Sequence, residues 1–186
     1  PNYESAGCGA NNDANTCTVI LSVTDGSNTD TITITATVTD LNEAPPVFTA
    51  GTTGACSSAE VAACGTFAAT DTDGTATQTY SIVAAGTDAG SVDHDLFSVV
   101  SNSGALTFSS APDYENPGCG SGNDALVCIV IISVTDGANT DTITITATIT
   151  DLNEHTPSFT AGATASANVA EVTTVGTYAA TDTDGT

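Results

Sequence analysis

A repeat of 111 residues constrains the fold of this chain more than any other feature of its sequence. When the 186-residue sequence is shifted by 111 positions, residues 1–75 pair with residues 112–186, and 51 of these 75 positions are identical. Segments this similar are expected to fold alike, so the chain contains copies of one structural unit. We predict one complete copy over residues 46–156, between the C-terminal part of a copy (1–45) and the N-terminal part of another (157–186).

The two partial copies do not add up to a whole repeat, because together they lack the equivalent of residues 76–111. We therefore expect the sequence to be a window from a longer array, such as a polymer of the same unit. The alternative is a chain whose partial copies are completed by strands from a neighbouring molecule.

Short strand patterns separated by turn residues predict an all-β fold. In the segment 140–150, Ile143, Ile145, Ala147 and Ile149 alternate with threonines, which places one set of side chains on the core face and the other toward solvent. Further strands are expected at 65–70, 79–83, 97–100, 105–108 and 128–135, with hairpin turns at 101–104 and 136–139. About seven strands in a unit of this length indicate a Greek-key β-sandwich.

The charge of the chain limits its partners. It has 22 acidic residues and neither lysine nor arginine, which gives a formal net charge of −22. Such a chain cannot displace the counterions around phosphate groups, so nucleic acid and anionic membrane surfaces are poor partners. Charged residues make up only 12% of the sequence, too few for an acidic disordered tail, and no apolar run reaches membrane-spanning length. This composition favours cations.

Six cysteines without a CxxC motif predict disulfide bonds and an oxidising, extracellular compartment. Comparison of the copies suggests how they pair. Cys56 and Cys64 are both replaced in the next copy, by Ala167 and Val175, as expected of bonded partners that are lost together. We predict the bonds Cys8–Cys17, Cys56–Cys64 and Cys119–Cys128. The alternative is a set of buried free thiols.

A series of motifs lies along the chain in a fixed order, and all but one of them contain acidic residues. They are Glu60, the turn Asp71-Thr72-Asp73-Gly74, the hairpin 97–106, Asp113-Tyr114-Glu115, Asp136-Gly137 and the linker Asp151-Leu152-Asn153-Glu154. The linker motif also occurs as Asp40-Leu41-Asn42-Glu43, and the turn motif as Asp182-Thr183-Asp184-Gly185. Together they resemble the motifs of cadherin repeats, whose linkers read D-x-N-D-N-x-P-x-F. The resemblance implies tandem Greek-key β-sandwich repeats of the cadherin and immunoglobulin-like type, in a microbial variety with D-x-N-E linkers.

The resemblance also implies that each junction between repeats binds about three calcium ions, with oxygen ligands from both sides of the linker. For the first junction the expected ligands are Glu4, Asn42, Glu43, Asp71, Asp73 and Asp136. For the second junction they are Glu60, Asp113, Glu115, Asn153, Glu154, Asp182 and Asp184. Without lysine or arginine, a bound cation is the group that can neutralise crowded carboxylates. The alternative is that these are solvated surface acids.

The linkers depart from the family pattern at two positions in each copy, since Glu43 and Glu154 also replace the usual aspartate. Ala44 and His155 replace an asparagine that, in the family, binds calcium through its main-chain carbonyl. We therefore expect the replacements to be tolerated and assign no role to the histidine side chain. The other histidine, His94, is expected to be a turn residue.

The threonine rows have two interpretations. Threonine packs well on an exposed strand. The resemblance adds O-glycosylation, and the candidate sites are Thr31, Thr33, Thr35, Thr37, Thr142, Thr144, Thr146 and Thr148.

These features predict a calcium-rigidified structural repeat of an extracellular adhesin, stalk or fibril, secreted or displayed at the cell surface. Its expected partners are calcium and further copies of the same repeat, which could assemble as a fibril. The alternative is a calcium-dependent module that recognises a partner protein or glycan. No nucleophile elbow, phosphate loop or HExxH motif occurs in the sequence, so we do not expect an enzyme.

Overall fold

The computed structural model of the chain describes residues 2–5, 7–8, 15–73, 77–84, 92–120, 125–171 and 173–184. The turn glycines Gly74 and Gly185 lie outside the described residues. The strands within these ranges are β1 (Thr16–Thr24), β2 (Thr29–Thr37), β3 (Val47–Phe48), β4 (Thr53–Ser58), β5 (Ala63–Thr66), β6 (Ala69–Thr70), β7 (Thr79–Ile82), β8 (Phe97–Val99), β9 (Ala105–Phe108), β10 (Val127–Thr135), β11 (Thr140–Ile149), β12 (Ser158–Phe159) and β13 (Ala180–Thr181). A short 3₁₀ helix, His94–Leu96, precedes β8. In the described part of the chain, no helix has the length and apolar character needed to cross a membrane.

The strands of the central copy form a β-sandwich, so the all-β fold class is confirmed. One sheet has the strand order β4-β11-β10-β7, and a second has the order β5-β9-β8. A two-stranded ladder joins β3 to β6. All of these pairs are antiparallel except β4 with β11, which are parallel.

The hairpin of β10 and β11 supplies much of the aliphatic core. Its register pairs Val130 with Ile145 and Ile132 with Ile143, and all four side chains are fully buried. Each buried isoleucine contributes roughly 1.5–3 kcal/mol relative to an exposed one. The aromatic side chains that pack in the same core are Phe48, Phe67, Tyr80, Phe97 and Phe108. The alternating pattern of the sequence therefore marks the core face correctly.

The structure contains a six-residue strand that the sequence did not predict, and one predicted strand differs in extent. The segment Thr53–Ser58 forms β4, although its small and polar side chains show no apolar alternation, and it is held by parallel pairing with β11. The single strand expected over 65–70 is wrong in extent, because Phe67 turns into the core and its backbone N–H donates to the Gly104 carbonyl at 3.0 Å. The residues before Phe67 pair with β9, and those after Ala68 pair with β3.

Local strand pairing follows the sequence repeat. The hairpin β1–β2 has the register of β10–β11, and the ladder β12–β13 has the register of β3–β6, each at a spacing of 111 residues. Burial differs between the copies. Ile32 and Ile34 are 60% and 40% exposed, whereas Ile143 and Ile145 are buried in the core cluster of the central copy. The repeat boundaries at 1–45, 46–156 and 157–186 remain a prediction.

Three disulfides are present, Cys8–Cys17, Cys56–Cys64 and Cys119–Cys128, with Cα atoms 4.8, 5.4 and 4.9 Å apart. These are the pairs expected from comparing the copies. The Cys56–Cys64 bond joins β4 to β5 and so connects the two sheets of the sandwich. Closing a loop of this size contributes roughly 2–3 kcal/mol in the chain-entropy account.

The threonine rows face away from the core. In β11, Thr142 and Thr146 are exposed, whereas Thr144 and Thr148 are half-buried. The corresponding threonines of β2 are exposed, namely Thr31, Thr33, Thr35 and Thr37. Glycosylation at these positions remains a prediction.

Candidate functional site

Glu60 ties the second linker to the central copy. It follows β4 with a φ of 54°, in the left-handed region that costs a residue with a Cβ about 1–2 kcal/mol. One carboxylate oxygen accepts the backbone N–H of Tyr114 at 2.8 Å, and the other accepts that of Leu152 at 2.7 Å. These two bonds hold the Glu60 carboxylate where the segment 113–115 meets the linker.

Acidic side chains from three parts of the chain meet at the second junction. Glu60, Asp113 and Glu115 place oxygen atoms within 4.8 Å of one another, and we call this group the inner cluster. A second group, the outer cluster, is formed by Glu115, Glu154, His155 and Asp184, whose ligand atoms lie within the same limit. Glu115 belongs to both clusters.

The spacing of these oxygens suits calcium. Oxygen ligands lie about 2.3–2.6 Å from a calcium ion, so two ligands of one ion are at most about 5 Å apart. The oxygens of each cluster satisfy this limit. By contrast, Asp93 is a buried acid whose two oxygens each accept a backbone N–H at 2.7 Å, from Gly120 and Ile129. That arrangement anchors a loop, whereas the junction carboxylates face one another.

Desolvation, and then repulsion between neighbouring carboxylates, perturbs the acids of the second junction. Desolvation and then the charges of Glu60 and Asp184 raise the pKa of Glu154. Desolvation, followed by the charges of Glu60 and Asp151, likewise raises the pKa of Glu115. A raised carboxyl pKa is the effect expected when a carboxylate is withdrawn from water and placed beside other negative charges.

Asp184 is the most buried acid of the outer cluster, with a side chain only 2% exposed. Its Oδ2 accepts the backbone N–H of His155 at 2.7 Å, and its Oδ1 lies 2.5 Å from His155 Nδ1. Desolvation acts to raise the pKa of Asp184, but the hydrogen bonds from the ring and backbone of His155 outweigh it, and the pKa is lowered. The hydrogen bond to Asp184 raises the pKa of His155.

The first junction repeats part of this geometry. Asp73 Oδ2 accepts the backbone N–H of Ala44 at 2.7 Å, as Asp184 accepts that of His155. Desolvation and then the charges of Glu4 and Asp73 raise the pKa of Glu43. Among the described residues, however, the first junction has no group of three acid or histidine side chains within 4.8 Å.

Asn42 lies between two carboxylates of the first junction. The nitrogen of its amide lies 3.3 Å from Asp73 Oδ2 and 2.9 Å from Asp136 Oδ2 and donates to both carboxylates. Asp71 Oδ2 nearby is buried with no hydrogen-bond partner in the described structure. This oxygen-rich pocket fits calcium.

The remaining predicted ligands lie nearby but outside the clusters. Asp182 Oδ1 accepts the backbone N–H of Asp184 at 3.3 Å, and Asn153 is exposed in the linker. At the first junction, Asp136 Oδ1 accepts hydrogen bonds from the backbone N–H groups of Asn139 and Ala138. The bond from Asn139, and then that from Ala138, lowers the pKa of Asp136, although desolvation acts to raise it.

Sequence reasoning missed two contributions to the second junction. The ring of His155 belongs to the outer cluster, and Asp151 adds charge beside Glu115. The sequence did contain a signal for the first, because His155 is a titratable side chain at a linker position where the other copy has Ala44.

Solved cadherin structures are similar to this chain. They include human CDH23 EC21-23, with a TM-score of 0.60, 18% identity and 91% of this chain covered, and PcdhgB3 EC1-4, with a TM-score of 0.61, 21% identity and 91% covered. The protocadherin GammaB4 extracellular domain matches 78% of the chain at a TM-score of 0.58 and 21% identity. The chain spans 54%, 41% and 21% of these three structures, respectively. No protein-family model and no curated protein sequence matches it. The chain therefore has a cadherin-like fold.

Proposed function

We propose that this chain is a calcium-rigidified structural repeat of an extracellular adhesin, stalk or fibril. The observation that carries the proposal is the second junction, where carboxylates from the central copy, the linker and the following copy converge. The central copy contributes Glu60 and Glu115, the linker contributes Glu154, and the following copy contributes Asp184. Surface acids without a common ligand would be expected to stay apart.

Calcium would act by removing repulsion across the linker. Two carboxylates about 4 Å apart repel by roughly 4 kcal/mol at an effective dielectric constant of 20. The chain has no lysine or arginine to offset this repulsion, so a divalent ion between the carboxylates stabilises the closed junction. With about three ions at each junction, neighbouring repeats become a stiff rod. Without calcium, the linker behaves as a hinge.

An extracellular setting and a non-enzymatic role accord with the rest of the molecule. Three disulfides join segments of the chain, and disulfides persist in oxidising compartments. The similar solved structures include protein fragments named as extracellular domains. Near-identical copies suit a spacer or fibril, in which each unit makes the same contacts with the next.

Small-angle X-ray scattering with calcium and then with chelator tests the rod mechanism. We expect calcium to give the profile of a rod and chelation to give that of a flexible chain. Glu115→Gln should weaken the calcium response, because Glu115 contributes to both clusters. Asp95→Asn is the matched control, since it removes the same charge from a side chain that is 90% exposed and outside both junctions. An unchanged maximum dimension after chelation would contradict the proposal.

A further inference from the structure

We propose that the two partial copies of the repeat bind each other between molecules, with residues 164–169 of one chain added as a parallel strand to β2 of a second copy of the chain. This surface is the one through which further copies of the chain join end to end. The contact rests on the proposed function only for its dependence on calcium, because strand pairing itself requires no ion.

The hairpin β1–β2 has an apolar face that the equivalent hairpin buries. Val19 and Leu21 are each 51% exposed, whereas Val130 and Ile132 at the equivalent positions are fully buried. Within the described residues, β2 pairs with β1 alone, whereas β11 pairs with both β10 and β4. A free strand edge beside an uncovered apolar face is a template for the addition of another strand.

The central copy shows which segment covers such a hairpin. There, β4 pairs in parallel with β11 over six residue pairs, from Thr53 with Thr144 to Ser58 with Ile149. Phe48 lies in the same core, and its backbone N–H donates to Asp141 Oδ2 at 3.0 Å. These covering residues belong to the part of the repeat that residues 157–186 duplicate. The C-terminal partial copy therefore carries the matching surface.

That matching segment has no partner in its own partial copy. Residues 164–169 form no strand and are exposed, and Phe159, the equivalent of Phe48, is 60% exposed. Ala167 and Val175 replace the two cysteines that join β4 to β5 in the central copy. Because no disulfide ties the segment to the rest of its own copy, it is available to the edge of β2 in a second chain.

One replacement changes the side-chain packing of the new contact. Ala165 occupies the position of Gly54, where an added Cβ would lie 2.6 Å from Cε1 of Phe67. Tyr178 replaces Phe67 and is 42% exposed, so its ring has to lie further from the strand than the Phe67 ring does. The hydrogen bonds of a strand ladder join main-chain atoms, so the pairing itself is unaffected.

Glu171 provides an independent observation. It is the equivalent of Glu60, whose carboxylate accepts two backbone N–H groups and belongs to the inner cluster. Glu171 is exposed and belongs to neither cluster, and the first junction has no group of three such ligands among the described residues. Placed as Glu60 is, Glu171 of a second chain accepts the backbone N–H groups of Tyr3 and Leu41 and lies beside Glu4. The neighbouring chain thus contributes a ligand to the first junction.

The two surfaces lie on different parts of the chain, so each molecule joins one neighbour through β2 and another through residues 164–169. Contacts of this head-to-tail kind continue from molecule to molecule and form open filaments or closed rings.

Sedimentation of the full chain over a range of concentrations tests the contact. We expect the mass to rise with concentration beyond that of a single chain. Ala167→Pro should raise the dissociation constant at least about tenfold, because proline removes a ladder donor and its ring does not fit within a paired strand. Ala170→Pro is the matched control, since it lies one residue beyond the pairing segment. Both positions are exposed and outside strands, and circular dichroism checks that both variants are folded.

The role of Glu171 is tested by repeating the measurement with calcium and with chelator. Calcium should strengthen association of the wild-type chain, and Glu171→Gln should remove this effect. Asp95→Asn should retain it, because Asp95 lies outside both junctions. The same calcium effect in both variants would contradict the role of Glu171.

A mass that does not change with concentration, or equal association of the two proline variants, would overturn the inference. X-ray scattering of Ala167→Pro with calcium and with chelator examines the second junction in a chain that does not associate. Failure of the proposed function and failure of this contact are therefore distinguishable.

Discussion

At the scale of single residues, the acids of this chain fall into two kinds. Asp93 is buried and satisfied by backbone N–H groups, whereas Glu115 and Glu154 face other carboxylates and have raised pKa values. Sequence motifs predicted most of the acids that meet at the second junction, because their order along the chain resembles a known pattern. They did not identify the ring of His155, since the resemblance gives that position a main-chain role. Its contact with Asp184 depends on how the linker meets the next copy.

The titration of His155 is predicted at this scale. The hydrogen bond to Asp184 raises the pKa of His155, so the contact stabilises the closed junction fully below the ordinary histidine pKa. That stabilisation is lost as the pH rises through the raised value. NMR titration of the calcium-free chain should therefore give a midpoint for His155 above that of a histidine in a short peptide, and Asp184→Asn should lower it. A midpoint that is the same in wild type and variant would contradict the predicted contact.

At the scale of strands, the apolar pattern predicted the elements that supply the core, and tertiary contacts decided the others. β8 to β11 lie within about one residue of their expected limits, because alternation and turn residues define them locally. β4 was not expected, since its small side chains carry no pattern. Its place is set by parallel pairing with β11 and by the disulfide of Cys56 to β5. The disulfide was predicted by comparing the copies, whereas the pairing with β11 has no signal in the local sequence.

A pair of glycine substitutions tests the packing of β4 against the second sheet. An added Cβ at Gly54 would lie 2.6 Å from Cε1 of the buried Phe67 ring, so Gly54→Ala should lower the free energy of unfolding by about 1–3 kcal/mol. Gly65→Ala is the matched control on β5, where the nearest atom would be at an ordinary 3.9 Å. Urea unfolding followed by circular dichroism measures both. Equal stability of the two variants would show that β4 does not approach Phe67 as described.

At the scale of the whole molecule, we expect the charge of −22 and the acids gathered at the linkers to make stability depend on calcium and pH together. Desolvation, followed by repulsion from neighbouring carboxylates, raises the pKa of Glu43 and Glu154. In calcium-free protein these ionised acids destabilise the fold at neutral pH, and the effect disappears as they become protonated on acidification. Asp136 and Asp184 have lowered pKa values and stay ionised over the same range.

Calcium should therefore raise the melting temperature more at pH 7.5 than at pH 5, because at the lower pH the ion competes with protons on the glutamates. Ligand at about 100 times its dissociation constant stabilises a protein by about 2.7 kcal/mol, which is within reach of a melting experiment. Thermal unfolding with calcium and with chelator at the two pH values measures the difference. A calcium-induced shift of the same size at both would contradict the assignment of these glutamates as ligands.

The position of Glu115 in both clusters has a consequence for how a junction responds to calcium. An ion in one cluster fixes the Glu115 side chain, which the other cluster also needs. The second ion therefore binds without the entropy cost of ordering that side chain. Under the proposed function, the two ions then bind cooperatively, and the junction stiffens over a narrow interval of calcium concentration. An array of such junctions would change its persistence length abruptly rather than in proportion to the calcium around it.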